Sequence, residues 1–168
     1  FAICYLLKFK RVLFVTRKMA MQSVNQDFAT IPGYFDLTVI NYDSLHKVAG
    51  KFDCVIVDEA HSLGAFPKPA LRTKRLRTLI NESYVILMSG TPNPEGFSQL
   101  YHQFWISEKH SPFRDYRNFY KWANVFVDVR ERVFNGVKVR DYSRAFTQPI
   151  QQIVEKYFIR WSQEDAGF

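Results

Sequence analysis

The chain of 168 residues is long enough for one domain with a real core. Hydrophobic residues make up 47% of it and aromatic residues 17%, which excludes a disordered segment. The formal net charge of +7 favours an anionic partner, nucleic acid first, although a basic solvated surface explains the same number.

Both cysteines, Cys4 and Cys54, lie in apolar runs. They are expected to be buried free thiols rather than a disulfide or metal ligands, as suits a reducing cytosol. No apolar run reaches the ~18 residues needed to span a membrane. Residues 1–7 lack the basic flank and small-residue cleavage site of a signal peptide. The chain opens on Phe1 rather than methionine and is expected to begin inside a domain.

Residues 1–9 have the character of a helix end, and residues 12–15 that of a buried strand leading into Thr16, Arg17 and Lys18. Ala20, Val24 and Phe28 recur every four residues and predict a helix over 19–28, broken at residues 31–33. A second strand over 37–40 runs into Asn41 and Tyr42, and residues 43–47 into a short helical turn. The strand over 53–57 ends in Asp58-Glu59-Ala60-His61. After a loop holding Gly64, Pro67 and Pro69, a helix is predicted over 70–81. Leu71, Leu76, Leu79 and Ile80 face the sheet, and Arg72, Lys74, Arg75 and Arg77 are left for solvent or a phosphate backbone. A further buried strand over 84–88 runs into Ser89-Gly90-Thr91-Pro92.

Strands alternating with helical segments predict an α/β fold built on a parallel sheet. Beyond residue 94 the pattern changes. Aromatic-rich helices are predicted over 97–106 and 115–123, their rings mainly forming core. Asn135-Gly136 between alternating runs at 129–134 and 137–142 is a strong hairpin signal. A helix over 149–157 and a short strand over 158–161 close the chain. The expected division is an α/β core over 1–106 and a helical and hairpin extension over 107–168.

The acidic strand end carries the chemistry. Bounded apolar runs are typical of parallel strands covered on both faces, and ligands bind at the carboxyl ends of such strands. One carboxylate there can hold hydrated magnesium, and its neighbour can orient or deprotonate a water. The bland alternatives are a surface acidic turn for Asp58 and Glu59, and ordinary turn chemistry for His61, Ser89, Gly90 and Thr91.

Asp58-Glu59-Ala60-His61 resembles the nucleotide-hydrolysis motif of DEAH-type superfamily-two helicases and translocases, and Ser89-Gly90-Thr91-Pro92 their next motif. Residues 14–18 look like the family's first nucleic-acid-contacting motif, and residues 39–45 are similar to the equivalent segment of the Swi/Snf-like branch, with a phage-type ATPase as the nearest likeness. The resemblance covers about residues 1–105. It implies a RecA-like parallel sheet flanked by helices, of the P-loop NTPase type, followed by the helical and β-hairpin extension. It implies ATP and Mg2+ as cofactors, with Asp58 on the metal, in part through water, and Glu59 activating the attacking water. His61 would link that site to Ser89, Gly90 and Thr91. Thr16, Arg17 and Lys18, with Asn41 and Tyr42 more weakly, would touch nucleic acid. The implied partners are DNA, double-stranded by preference, and a second RecA-like lobe of the same polypeptide. The implied location is the cytoplasm of a bacterial or phage-infected cell, or the nucleus in a eukaryote.

No G-x-x-x-x-G-K-[ST] phosphate loop occurs in the 168 residues, nor the second lobe with its arginine finger. The chain alone is therefore expected to hydrolyse ATP negligibly and to be marginally stable. The rivals are the motor lobe of a restriction enzyme or RNA helicase, and a nucleic-acid-binding module without ATPase activity.

Overall fold

The computed structural model describes residues 1–31, 33–160 and 165. Four strands, β1 (Arg11–Thr16), β2 (Asp36–Asn41), β3 (Cys54–Val57) and β4 (Tyr84–Leu87), form one parallel sheet in the order β2-β1-β3-β4. Parallel neighbours need crossover connections, and the segments between the strands supply them. Side chains alternate faces along a strand. Leu13, Val15, Val55 and Val57 share one face with Leu45, Leu76, Ile80 and Ile106. Val12, Phe14, Cys54 and Ile56 share the other with Cys4, Phe9 and Phe35. Both faces are covered, which is why β1 and β3 are apolar almost throughout rather than alternating.

Helices α1 (Ala2–Leu6) and α2 (Met21–Ala29) belong to the second face, through Cys4 and through Val24 and Phe28. Helix α3 (Leu71–Ile80) and the 3-10 turn Tyr42–Lys47 cover the first. Cys4 and Cys54 are buried free thiols. Burial pushes both thiols up, Cys54 to about 12, so neither is a nucleophile at neutral pH.

Three expectations for this half need correction. Leu71 is 62% exposed rather than facing the sheet. It lies about two and a half turns before Ile80, on the opposite side of the helix, and Thr73, Leu76 and Ile80 form the buried stripe. Arg77 is not left for solvent: its guanidinium lies 4.1 Å from the Trp105 ring centroid, donates to the Trp105 carbonyl and pairs with Glu108. The strand expected to be buried over 84–88 is the sheet's edge, with Tyr84 exposed and Val85, Ile86 and Leu87 half-buried.

The rest of the chain builds a second, aromatic core. Helix α4 (Leu100–Trp105), α5 (Phe119–Phe126) and α6 (Thr147–Val154) meet around Tyr101, Phe113, Phe119, Trp122, Ile150 and Val154. The sequence places the second of these helices at 115–123; it starts later because Asn118 caps it, its side chain accepting from the Lys121 N–H at 3.0 Å. Strands β5 (Arg130–Phe134) and β6 (Val137–Asp141) pair antiparallel across Asn135-Gly136. Both turn residues have positive φ, 49° and 75°, as a two-residue hairpin turn of this kind requires. The short strand expected at 158–161 does not form over residues 158–160, where no strand lies alongside; Phe158 packs edge-on against Phe104 instead. Trp161 lies outside the described residues.

His102 sits in this aromatic core at 2% exposure. Its Nδ1–H donates to the Ala65 carbonyl at 2.7 Å and its ring stacks on Phe119. Burial pushes the imidazole down to about 4. A depressed histidine withholds nothing above its ordinary value of about 6.5 and withdraws stability as pH falls from there through 4. The total is on the order of 3 kcal/mol. Urea unfolding between pH 7.5 and 4.5 should show this loss, and His102→Gln, which keeps a donor for Ala65, should flatten it. Equal pH slopes for both proteins would refute the assignment.

Candidate functional site

The polar groups collect where β1, β3 and β4 end together. The ladder continues one step past β3, the Asp58 N–H donating to the Val15 carbonyl at 2.8 Å. Because Val15 lies opposite Val57, Thr16 lies beside Asp58. Thr16 Oγ1 donates to Asp58 Oδ2 at 2.7 Å. The Glu59 N–H donates to Asp58 Oδ1 at 3.0 Å, and the Tyr42 hydroxyl donates to the Asp58 backbone carbonyl. Burial raises the Tyr42 phenol to about 12, so it stays a donor across the physiological range. Asp58 is thus held by three neighbours while each carboxylate oxygen keeps an acceptor site free.

Glu59 turns the chain out of the sheet in the left-handed conformation, φ 54° and ψ 46°. For a residue with a Cβ this costs about 1 kcal/mol or more, strain of the kind found at functional sites. The turn is fixed by the next residue, whose N–H donates to the Met88 carbonyl at 2.9 Å across to the end of β4. The 3-10 turn Ala60–Leu63 follows.

The Glu59 carboxylate has a basic side chain on either side. Arg17 Nη2 lies 3.7 Å from Oε1, and His61 Nδ1 lies 3.3 Å from Oε2. His61 Nδ1 is also 3.0 Å from Ser89 Oγ, which accepts from the Thr91 N–H at 3.3 Å. A continuous polar path therefore runs from Arg17 through Glu59, His61 and Ser89 to Thr91. Gly90 and Thr91 are exposed. A Cβ at Gly90 would meet nothing within 4 Å, so steric crowding is not what places glycine there.

The residues expected to touch nucleic acid divide into two groups. Arg17 and Lys18 are exposed. Thr16 and Tyr42 are buried, at 0% and 6%, and both hydroxyls are committed to Asp58, so neither is free for a phosphate. Asn41 caps the turn after β2, its side chain accepting from the N–H groups of Asp43 and Ser44. The support that Thr16 and Tyr42 give the acidic pair was hidden from the sequence because it depends on strand register. The apolar runs mark the strands but not which pairs with which.

The chemistry of the donors fits magnesium in its usual nucleotide-bound form. Among the described residues no group of three or more His, Cys, Asp or Glu is placed to hold a metal alone. Magnesium keeps several waters and takes one or two carboxylates plus substrate phosphates, which Asp58 with its half-buried, oriented oxygens suits. The residues present supply no phosphate-cradling loop, so they fit the metal and water side of a nucleotide site and not its phosphate side.

A parallel α/β sheet whose carboxyl edge carries this acidic pair, tied through His61 to the end of the next strand, is the arrangement of a superfamily-two helicase-like lobe. The family model described as type III restriction enzyme, res subunit, matches residues 6–94, and the chain belongs to that family. No curated protein and no solved structure matches it.

Replacing Thr16 by Val would leave Asp58 Oδ2 without its buried donor. Loss of a hydrogen bond to a charged group should cost roughly 1–3 kcal/mol, measured by urea unfolding at pH 7, with Thr16→Ser largely restoring it. A Thr16→Val protein as stable as the parent would show that the bond contributes nothing.

Proposed function

We propose that this chain is the nucleotide-hydrolysing part of a DEAH-type motor lobe, whose parent protein couples ATP hydrolysis to movement on double-stranded DNA. The observation that carries it is the path Glu59–His61–Ser89, which joins the acidic strand end to the segment after β4. The family match supports a helicase-like ATPase lobe and weights the parent toward a restriction-type DNA motor. The Swi/Snf-like alternative draws on residues 39–45, and Asn41 and Tyr42 act there as a cap and as an anchor for Asp58.

Asp58 would hold Mg2+, in part through water, with Thr16 and Tyr42 fixing its orientation. The bound ion would neutralise charge developing on the transferred phosphoryl group. Glu59 would orient the attacking water and accept its proton; its carboxylate lies between Arg17 and His61. Catalysis of this reaction is mostly positioning and charge stabilisation, so a carboxylate beside the metal ligand is what it needs. His61 would report the state of Glu59 to Ser89 and Thr91. Arg17 and Lys18 would sit on a phosphate backbone, contacts that position without reading bases. A phosphate loop and a second RecA-like lobe would come from elsewhere in the parent polypeptide. Residues 1–106 would be the α/β core and 107–168 the extension, with Leu100 and Tyr101 reaching from the first part into the aromatic core of the second.

Replacing Glu59 by Gln in the polypeptide that carries the phosphate loop should lower DNA-stimulated ATP turnover by about 10²–10⁴-fold, with nucleotide affinity changed only a few-fold. Turnover surviving at the parent rate would remove Glu59 from its role. The 168-residue chain by itself should show negligible ATPase activity.

A further inference from the structure

The β5–β6 hairpin is the part of the molecule that the fold does not explain. Residues 131–140 are exposed on both faces of the ribbon. A two-stranded hairpin with no covering layer is marginally stable, yet this one carries its largest apolar side chains in water. Val133 and Phe134 are each 70% exposed and Val137 62%. Phe134 and Val137 pair directly across from each other beside the Asn135-Gly136 turn, so the apolar groups mark the tip. Behind it lie Arg130, Arg132, Lys138 and Arg140 against Glu131 and Asp141, with Arg130 held by Asp128 at the base at 2.9 Å. Arg132 and Lys138 reach those two carboxylates, at 2.7 and 3.7 Å. Among the described residues Arg140 has no carboxylate partner.

The base, by contrast, is fixed. Val127 bridges to Ala145, the Asp128 N–H donates to the Arg144 carbonyl at 2.9 Å, and the Phe146 N–H to the Phe126 carbonyl at 2.7 Å. Val127 and Tyr142 are buried in the aromatic core. The hairpin is therefore a free ribbon on a rigid mount.

We propose that this hairpin is a duplex-DNA contact, its cationic ribs on the phosphates of a groove and Phe134 wedged at a base step. The proposal rests on the nucleic-acid reading given above. A two-stranded ribbon fits the major groove of B-form DNA, whereas the narrow major groove of A-form RNA excludes it. Excess positive charge supplies phosphate affinity, and apolar wedges at base steps are an established way to grip a duplex. A second copy of this chain is a poorer occupant, since two such ribbons would bring like charges together.

The test is binding of the full chain to a fluorescein-labelled duplex DNA of mixed sequence, followed by anisotropy over a range of KCl. Lys138→Gln with Arg140→Gln should reduce the slope of log K against log salt by about 1–2. Phe134→Ala should weaken binding roughly tenfold with the slope unchanged. It should also abolish the fluorescence rise of a 2-aminopurine placed in the duplex. These side chains are exposed, so the variants are expected to fold, which circular dichroism checks. If the hairpin variants bind as the parent does while Arg17→Ala binds more weakly, the hairpin proposal is overturned and the nucleic-acid reading stands. If the unaltered chain does not bind duplex, both are overturned. If light scattering shows a dimer that Phe134→Ala dissociates with DNA affinity unchanged, the occupant is a second copy and the proposal is wrong.

Discussion

Parallel pairing of β1 with β3, in the register that sets Val15 opposite Val57, fixes nearly everything at the carboxyl edge of the sheet. It puts Thr16 beside Asp58 and lets the Asp58 N–H extend the ladder. A slip of one residue would exchange the faces of either strand, moving Leu13 and Val15 from one core to the other. Two covered faces forbid that slip. The placement of the acidic pair is therefore a by-product of hydrophobic packing more than of any local preference of Asp58 or Glu59.

The two cores do different work. The sheet's cores fix strand ends, and strand ends hold the polar path from Arg17 to Thr91. The aromatic core instead mounts an element that protrudes. Its rings meet in tilted and edge-on pairs around Trp122 and Phe119, geometries that favour one arrangement over sliding alternatives. Arg77 ties the two regions, reaching from the sheet-covering helix to Trp105 and Glu108. A charge that periodicity alone would give to solvent serves here as a strut.

Strands over 12–15 and 53–57 were legible because buried parallel strands are short apolar runs, the half-buried edge strand over 37–40 because its residues are β-branched or apolar, and the hairpin because Asn-Gly admits few conformations. Helix starts were less so. Asn118 decides where α5 begins through one cap bond, and Asn residues elsewhere in the chain look the same in sequence. Leu71 and Arg77 were misplaced because amphipathicity counts residues and does not see what stands opposite them. At the site, the residue types at 58, 59, 61, 89 and 91 were visible as a pattern, and the structure brings them together. What stayed hidden were the interactions made across strands: Thr16 and Tyr42 on Asp58, and Arg17 on Glu59. Hydroxyl residues at a strand end suit a phosphate as well as a carboxylate, and only the pairing order decides between them.

The left-handed backbone of Glu59 also bears on how such a sequence can change over time. Its conformation suits glycine, asparagine or aspartate better than glutamate, so the fold by itself would gain from losing this side chain. On the role proposed for Glu59, stability and activity pull in opposite directions at one position. A copy of the lobe released from the need to turn over nucleotide would be free to drift there first. If the proposed role holds, what occupies the position after the strand-end aspartate is a sensitive record of whether the lobe still turns over nucleotide.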